Sequence, residues 1–267
     1  MKKLLILIPI FLFACKKKDE GTPLIFINQY PVSIAYYDVD VNTNAETLRF
    51  QINYYYNDNN RFDSIRIENT TYKFDYSQLA NNGKVKLAYN NLSLPYDEIT
   101  YDNTYYNLNS YTQVFGANDT SKNAFQYDSI NRIRHFAHAY NNSMNDFVLT
   151  QTYKKDTVFV HTDFFNNACI SNDTIKNTTT DMSKNLPYLL FTKSDNACGN
   201  IIFQNILSAI PLSSFINKLP SKIINNNTQS DFTFVFDNTD RLSEANIAVK
   251  NRTTNIISKK FKIKVSY

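Results

Sequence analysis

The sequence predicts a mainly β chain: a curved antiparallel meander sheet built of hairpins, with one amphipathic helix near 201–219. Three observations predict it. The first is composition: 19 Tyr and 20 Phe with no Trp and only 4 Gly, in a chain where Asn is about one residue in seven. Tyr, Phe and Thr favour strands, and Asn favours turns. With so little Gly, Asn and Asp must occupy most left-handed turn positions. The second is a series of short strand-like segments at 32–38, 47–56, 61–68, 71–75, 84–89, 111–115, 132–140, 147–153, 157–164, 232–236, 245–250 and 259–265. Polar Asn/Asp turns separate them, as in a meander. The third is the exception. Between 201 and 219, apolar residues fall at 202, 203, 206, 207, 210, 215, 216 and 219, close to helical spacing. Pro211 would start, kink or split that helix.

A repeated hairpin segment gives the sheet its local logic. It runs Tyr54-Tyr55-Tyr56-Asn57-Asp58-Asn59-Asn60-Arg61-Phe62, then Phe125-Gln126-Tyr127-Asp128-Ser129-Ile130-Asn131-Arg132-Ile133, then Phe234-Val235-Phe236-Asp237-Asn238-Thr239-Asp240-Arg241-Leu242. Alternate aromatics place two rings on one face of the incoming strand. Asn57, Asp128 and Asp237 are placed to cap a tight turn by accepting backbone amides ahead of them. Asn60, Asn131 and Asp240 are placed for the left-handed conformation that closes the loop. Arg61, Arg132 and Arg241 then start the outgoing strand. An expanded copy begins at Tyr72-Lys73-Phe74-Asp75 and resumes at Asn82-Gly83-Lys84-Val85. The segment resembles the YD hairpin of RHS-type repeats and of many uncharacterised Bacteroidota lipoproteins, with Asn or Asp standing where Gly is usual. The copies lie far apart in the chain, unlike tandem RHS repeats, so a closed RHS shell is not implied.

The N-terminus has its own pattern. Met1-Lys2-Lys3 precedes an uncharged apolar run over 4–13. That run is too short to span a bilayer as a helix, which takes about 20 residues. It reads as an export signal. Leu12-Phe13-Ala14-Cys15 resembles the lipobox of bacterial lipoproteins, which implies cleavage before Cys15 and a lipid on its thiol. Two or three acyl chains anchor a protein stably where one does not. Lys16-Lys17-Lys18-Asp19-Glu20 follows, and Lys18, Asp19 and Glu20 resemble the surface-export signal of Bacteroidota lipoproteins. A merely solvated tether is the alternative. The expected organisation is a signal peptide over 1–14, a tether over 15–23 and one β-rich domain over 24–267. Losing Lys2 and Lys3 halves the formal charge of +4, which leaves no nucleic-acid footprint.

With Cys15 set aside for lipid, Cys169 and Cys198 remain, each ending an Asn-Ala-Cys triplet. Export permits a disulfide between them, and two free thiols are the alternative. Catalytic signals are sparse. His135 and His138 are three apart on a strand and face opposite sides, while His161 and Asp163 share a face. No phosphate loop, His-Glu-x-x-His or Gly-x-Ser-x-Gly pattern is present, and no cofactor or metal site is expected. Asp128 and Asp237 are needed by their turns. The expected function is a non-catalytic binding or scaffold module on the cell surface, fixed to the outer membrane through its lipid, with a protein or glycan partner. The alternatives are a periplasmic carrier or assembly lipoprotein holding an apolar ligand, and a hydrolase.

Overall fold

The structure is a computed structural model that describes residues 31–59, 61–90, 95–101, 108–116, 118–129, 132–141, 147–164, 169–181 and 218–267. They form sixteen strands: β1 (Ser33–Val39), β2 (Glu46–Tyr56), β3 (Phe62–Ile67), β4 (Thr70–Asp75), β5 (Lys84–Tyr89), β6 (Tyr96–Tyr101), β7 (Leu108–Gly116), β8 (Asp119–Tyr127), β9 (Ile133–Tyr140), β10 (Phe147–Lys154), β11 (Thr157–Phe164), β12 (Cys169–Asp181), β13 (Lys218–Ile224), β14 (Thr228–Phe236), β15 (Leu242–Asn251) and β16 (Ile257–Ser266). Each strand pairs antiparallel with its neighbours in sequence, and β16 pairs back onto β1, so the sheet closes into a barrel.

Closure corrects the expected open sheet. The physical reason lies at the two terminal strands, which carry matching apolar faces. Ile34 stands opposite Val265 and Tyr36 opposite Ile263, all four buried. Pairing these edges satisfies two rows of backbone donors and acceptors that an open sheet would leave exposed. The expected helix is corrected as well. Lys218 and Leu219, at the end of the helical pattern, belong to β13, and 201–217 lie outside the described residues. Among the described residues the only helix is a single turn, α1 (Leu79–Asn82), closed by Gly83 at φ 66°. Of seven non-Gly residues at positive φ, four are Asn and one is Asp, so side chains that tolerate the left-handed region do the work Gly usually does.

The two faces of the barrel wall have opposite character. Inward positions are largely apolar and buried: Ile34, Ile52, Phe62, Ile65, Leu87, Ile99, Leu108, Ile133 and Ile263 are all at or below 3% exposure. Outward positions carry charge in mid-strand, including Lys86, Lys122, Lys176, Lys222, Asp231 and Lys262. Two ion networks cross the strands there. Asp231 bridges Lys222 at 3.6 Å and Lys250 at 2.7 Å. Lys262 reaches Glu46 at 2.7 Å and Glu244 at 3.4 Å, and Lys264 meets Glu46 at 2.6 Å. Sixteen strands are enough to leave an aqueous channel in a porin. Here the inward side chains are buried on strand after strand, and most of them are apolar.

Candidate functional site: a clasped rim and a polar inner wall

The antiparallel order places the β2–β3, β4–β5, β8–β9, β10–β11 and β14–β15 connections at one rim. The chain enters at the same rim, where the Val32 amide donates to the Ser266 carbonyl (2.7 Å). The three repeated hairpins therefore share one end of the barrel.

Their turns are built alike. The Asn57 side-chain oxygen accepts the Asn59 and Arg61 amides, each at 3.0 Å. Asp128 accepts the Arg132 amide at 2.9 Å, and Asp237 accepts those of Thr239 at 2.8 Å and Arg241 at 3.0 Å. In the two Asp copies the guanidinium folds back onto the same carboxylate: Arg132 Nε lies 2.8 Å from Asp128, and Arg241 Nε 2.8 Å from Asp237. Burial pulls the Asp237 carboxyl up, but hydrogen bonds from Thr239 and Arg241 outweigh it and hold it well below the usual range. Asp240 takes φ 59°. Asn60 and Asn131 lie outside the described residues.

Each Arg also covers a tyrosine that the sequence pattern did not single out. Arg61 stands 5.5 Å from the centre of the Tyr76 ring, Arg132 4.0 Å from Tyr153, and Arg241 4.5 Å from Tyr267. Such contacts are favourable between a cation and an aromatic face. The Tyr76 and Tyr153 hydroxyls then donate to the carbonyls of Phe62 (3.0 Å) and Ile133 (2.7 Å), just after the turn. Immediately before each turn sits a one-residue bulge, and Tyr56, Tyr127 and Phe236 pair with the buried Phe62, Ile133 and Leu242. A further copy appears at Tyr101, which pairs with buried Leu108 across the same kind of bulge. Its sequence trace is the Tyr101-Asp102 pair with a loop one residue longer. The rim is thus clasped by packing and charge, and its Asp128 and Asp237 carboxylates are occupied structurally.

The inner wall is different near the opposite rim. From β6 to β12 its inward positions become polar. Asp97 is fully buried and receives the hydroxyls of Tyr89 and Tyr111. Burial pushes its carboxyl up to about 6, against those hydrogen bonds. Ser121 and Asn123 follow on β8, with the Ser121 hydroxyl 2.7 Å from His138 Nε2. Gln151, Thr162, Ser171 and Asp173 continue the arc over β10–β12. Asp173 is likewise pushed up to about 6 by burial, with only the Ser171 hydroxyl donating to it at 3.4 Å.

The remaining sequence candidates are dispersed. His135 faces outward and His138 inward, and His161 lies on the outer face, 2.8 Å from the Asn172 oxygen. Among the described residues no three His, Cys, Asp or Glu side chains are grouped to hold a metal ion. Cys15, Lys18, Asp19, Glu20 and Cys198 lie outside the described residues, and Cys169 opens β12.

The barrel has a solved counterpart. A porin-like protein from Bacteroides uniformis superposes with a TM-score of 0.64 at 13% identity, over 88% of this chain and 96% of that one. A porin-like protein from Bacteroides vulgatus gives 0.49 at 10% identity, over 90% and 99%. The first likeness shows a shared fold. No family model and no curated protein matches the chain.

Proposed function

We propose that this chain is an envelope lipoprotein, held by Cys15 on the outer membrane and exposed at the cell surface through Lys18, Asp19 and Glu20. Its barrel is a non-catalytic binding module standing in water, not a pore. The observation that carries this reading is the polarity of the wall. A membrane barrel presents apolar side chains to lipid and polar ones to its lumen. This barrel does the reverse, with Lys86, Lys122, Lys176, Lys222 and Lys262 on the outside and a mostly apolar core within. Each Lys at the mid-plane of a bilayer costs about 2–4 kcal/mol, so these five alone oppose insertion by on the order of 10 kcal/mol.

A barrel of this kind needs a separate attachment to a membrane, and a lipid on Cys15 supplies it. The chain enters at the clasped rim, where the Tyr56 hydroxyl also holds the Pro31 carbonyl (2.8 Å). A tether running back from Pro31 would leave from this clasped rim, with the polar-walled end away from it. The test is fractionation with surface proteolysis. Wild type is expected in the membrane fraction and open to protease on intact cells. Cys15→Ser should be released, and changing Asp19 and Glu20 to Ala should protect the protein from protease. Membrane association that survives Cys15→Ser contradicts the reading.

A further inference from the structure

We propose that the outer face of β12–β16 is a docking surface for an acidic polysaccharide, a linear chain of sugars bearing carboxylate or sulfate groups. The small net charge of the whole chain hides this surface. Residues 218–267 carry nine Lys and Arg against four Asp and Glu, while 31–164 carry eleven against fifteen. The excess of cations is therefore gathered on one side of the barrel.

The strand register shows how they are arranged. One row of outward positions runs Lys176, Lys222, Asp231, Ala248 and Lys260 across five neighbouring strands. Strand spacing makes this row about 19 Å long. Lys262 and Lys264 extend it along β16, and Lys250 stands beside Asp231 at 2.7 Å. Lys176 faces Lys222 directly, and like charges directly opposite each other destabilise a sheet. The wall on the other side avoids that cost, for Asp75, Lys86 and Glu98 alternate in sign across β4–β6. Acids on the cationic face do not neutralise it. Asp231 is shared by Lys222 and Lys250, and Glu46 by Lys262 and Lys264, so each carboxylate meets two ammonium groups. Lys260 donates to the Val41 carbonyl (3.3 Å) and the Asn44 side-chain oxygen (2.8 Å), neither of them charged. Lys176 is exposed and has no acid partner among the described residues.

Shape and side-chain type select the partner. Five of the sixteen strands of a closed barrel form a convex arc, which a flexible chain follows and a flat bilayer meets only along a line. The row holds no aromatic ring. Tyr37 and Phe159 at its flanks each carry a Lys ammonium over one face, at 4.7 and 5.8 Å, which leaves little for a nucleobase to stack on. Every cation in the row is Lys, a point charge, whereas the planar fork of Arg suits phosphate. Carboxylates or sulfates strung along a polysaccharide need only such point charges at regular spacing.

The inference rests on the barrel being a water-facing binding module. Titration of the full Cys15→Ser chain, without detergent, with polygalacturonate and with chondroitin sulfate tests it. Neutral dextran, single-stranded DNA and phosphatidylglycerol vesicles serve as comparison probes. At least one acidic polysaccharide should bind, dextran should not, and added salt should weaken binding because it shortens the screening length. Changing Lys176 and Lys222 together to Gln should weaken binding about tenfold, the worth of two surface charge contacts. Lys122→Gln, on β8 outside the row, should leave it unchanged. Lys176→Gln alone should melt no lower than wild type, because it removes a repulsion. A lower melt would give Lys176 a structural role and overturn its assignment. Failure to bind either acidic polysaccharide, or an equal loss in the Lys122 variant, overturns the surface. Binding of DNA or vesicles as tight as that of the polysaccharide does so too. A protein that needs detergent to stay dissolved sinks the water-facing reading itself, whereas a soluble one that ignores acidic polysaccharides sinks only the surface.

Discussion

Asp97 is a fully buried carboxyl at the start of the polar stretch of the inner wall, and its surroundings say how it is tolerated. Tyr89 and Tyr111 donate to its two oxygens from the flanking strands, and the Tyr72 ring meets the Tyr89 ring edge-on at 4.8 Å. Those donors do not fully offset burial, so the folded carboxyl sits at about 6 against an ordinary 3.8. A raised folded value means that the native state binds the proton more tightly than the unfolded one. The stabilisation is complete below about pH 4 and is lost as pH rises through 6. The difference corresponds to about 3 kcal/mol, at 1.36 kcal/mol per unit. Asp173 acts in the same direction and the same window. Denaturant melts from pH 4 to 7 should therefore show stability falling with pH, and Asp97→Asn should flatten that slope by about 3 kcal/mol. An unchanged slope would mean that Asp97 does not titrate in the fold.

At the scale of hairpins and strands, the repeated turn predicts a measurable cost. Asp128 accepts the Arg132 amide and holds its guanidinium, with Arg132 packed over Tyr153 and the Tyr153 hydroxyl on Ile133. Asp128→Ala leaves those donors and the cation unpaired, so unfolding should become easier by about 1–3 kcal/mol. A shift below a few tenths would mean the clasp is decoration. The turn was legible in the sequence because its parts lie within nine residues. Tyr153 was not, because it comes two strands later and only the barrel brings it back. Strands show the same contrast. β5 and β11 were readable end to end because Val85 and Leu87, or Val158 and Val160, alternate with polar residues. β6, the first half of β8, and β12 were not, because Asp97, Ser121, Asn123, Ser171 and Asp173 occupy inward positions where an apolar residue signals a strand. Three of the strands that build the polar wall thus escaped pattern reading. β13 hid for another reason. Its Leu219 completed a helical spacing, and the Pro220 beside it is accommodated because it falls where the pairing with β12 shifts register.

For the whole molecule, the sequence carried the antiparallel hairpin order but not the closure. Nothing local distinguishes a strand that ends a sheet from one that finds the first strand again; the matching faces of β1 and β16 become informative only as a pair. Closure then decides the meaning of every alternation, because it makes one face an enclosed core and the other the outside. The outside is crossed by Lys–Glu and Lys–Asp networks, and the inside packs Ile, Leu, Val, Phe and Tyr. The most direct test of this polarity adds purified full-length Cys15→Ser protein, kept without detergent, to a planar lipid bilayer under voltage. The account predicts a soluble protein and a bilayer whose conductance stays at baseline. Stepwise, ohmic conductance increases would contradict it, for they would require the charged face to lie against lipid.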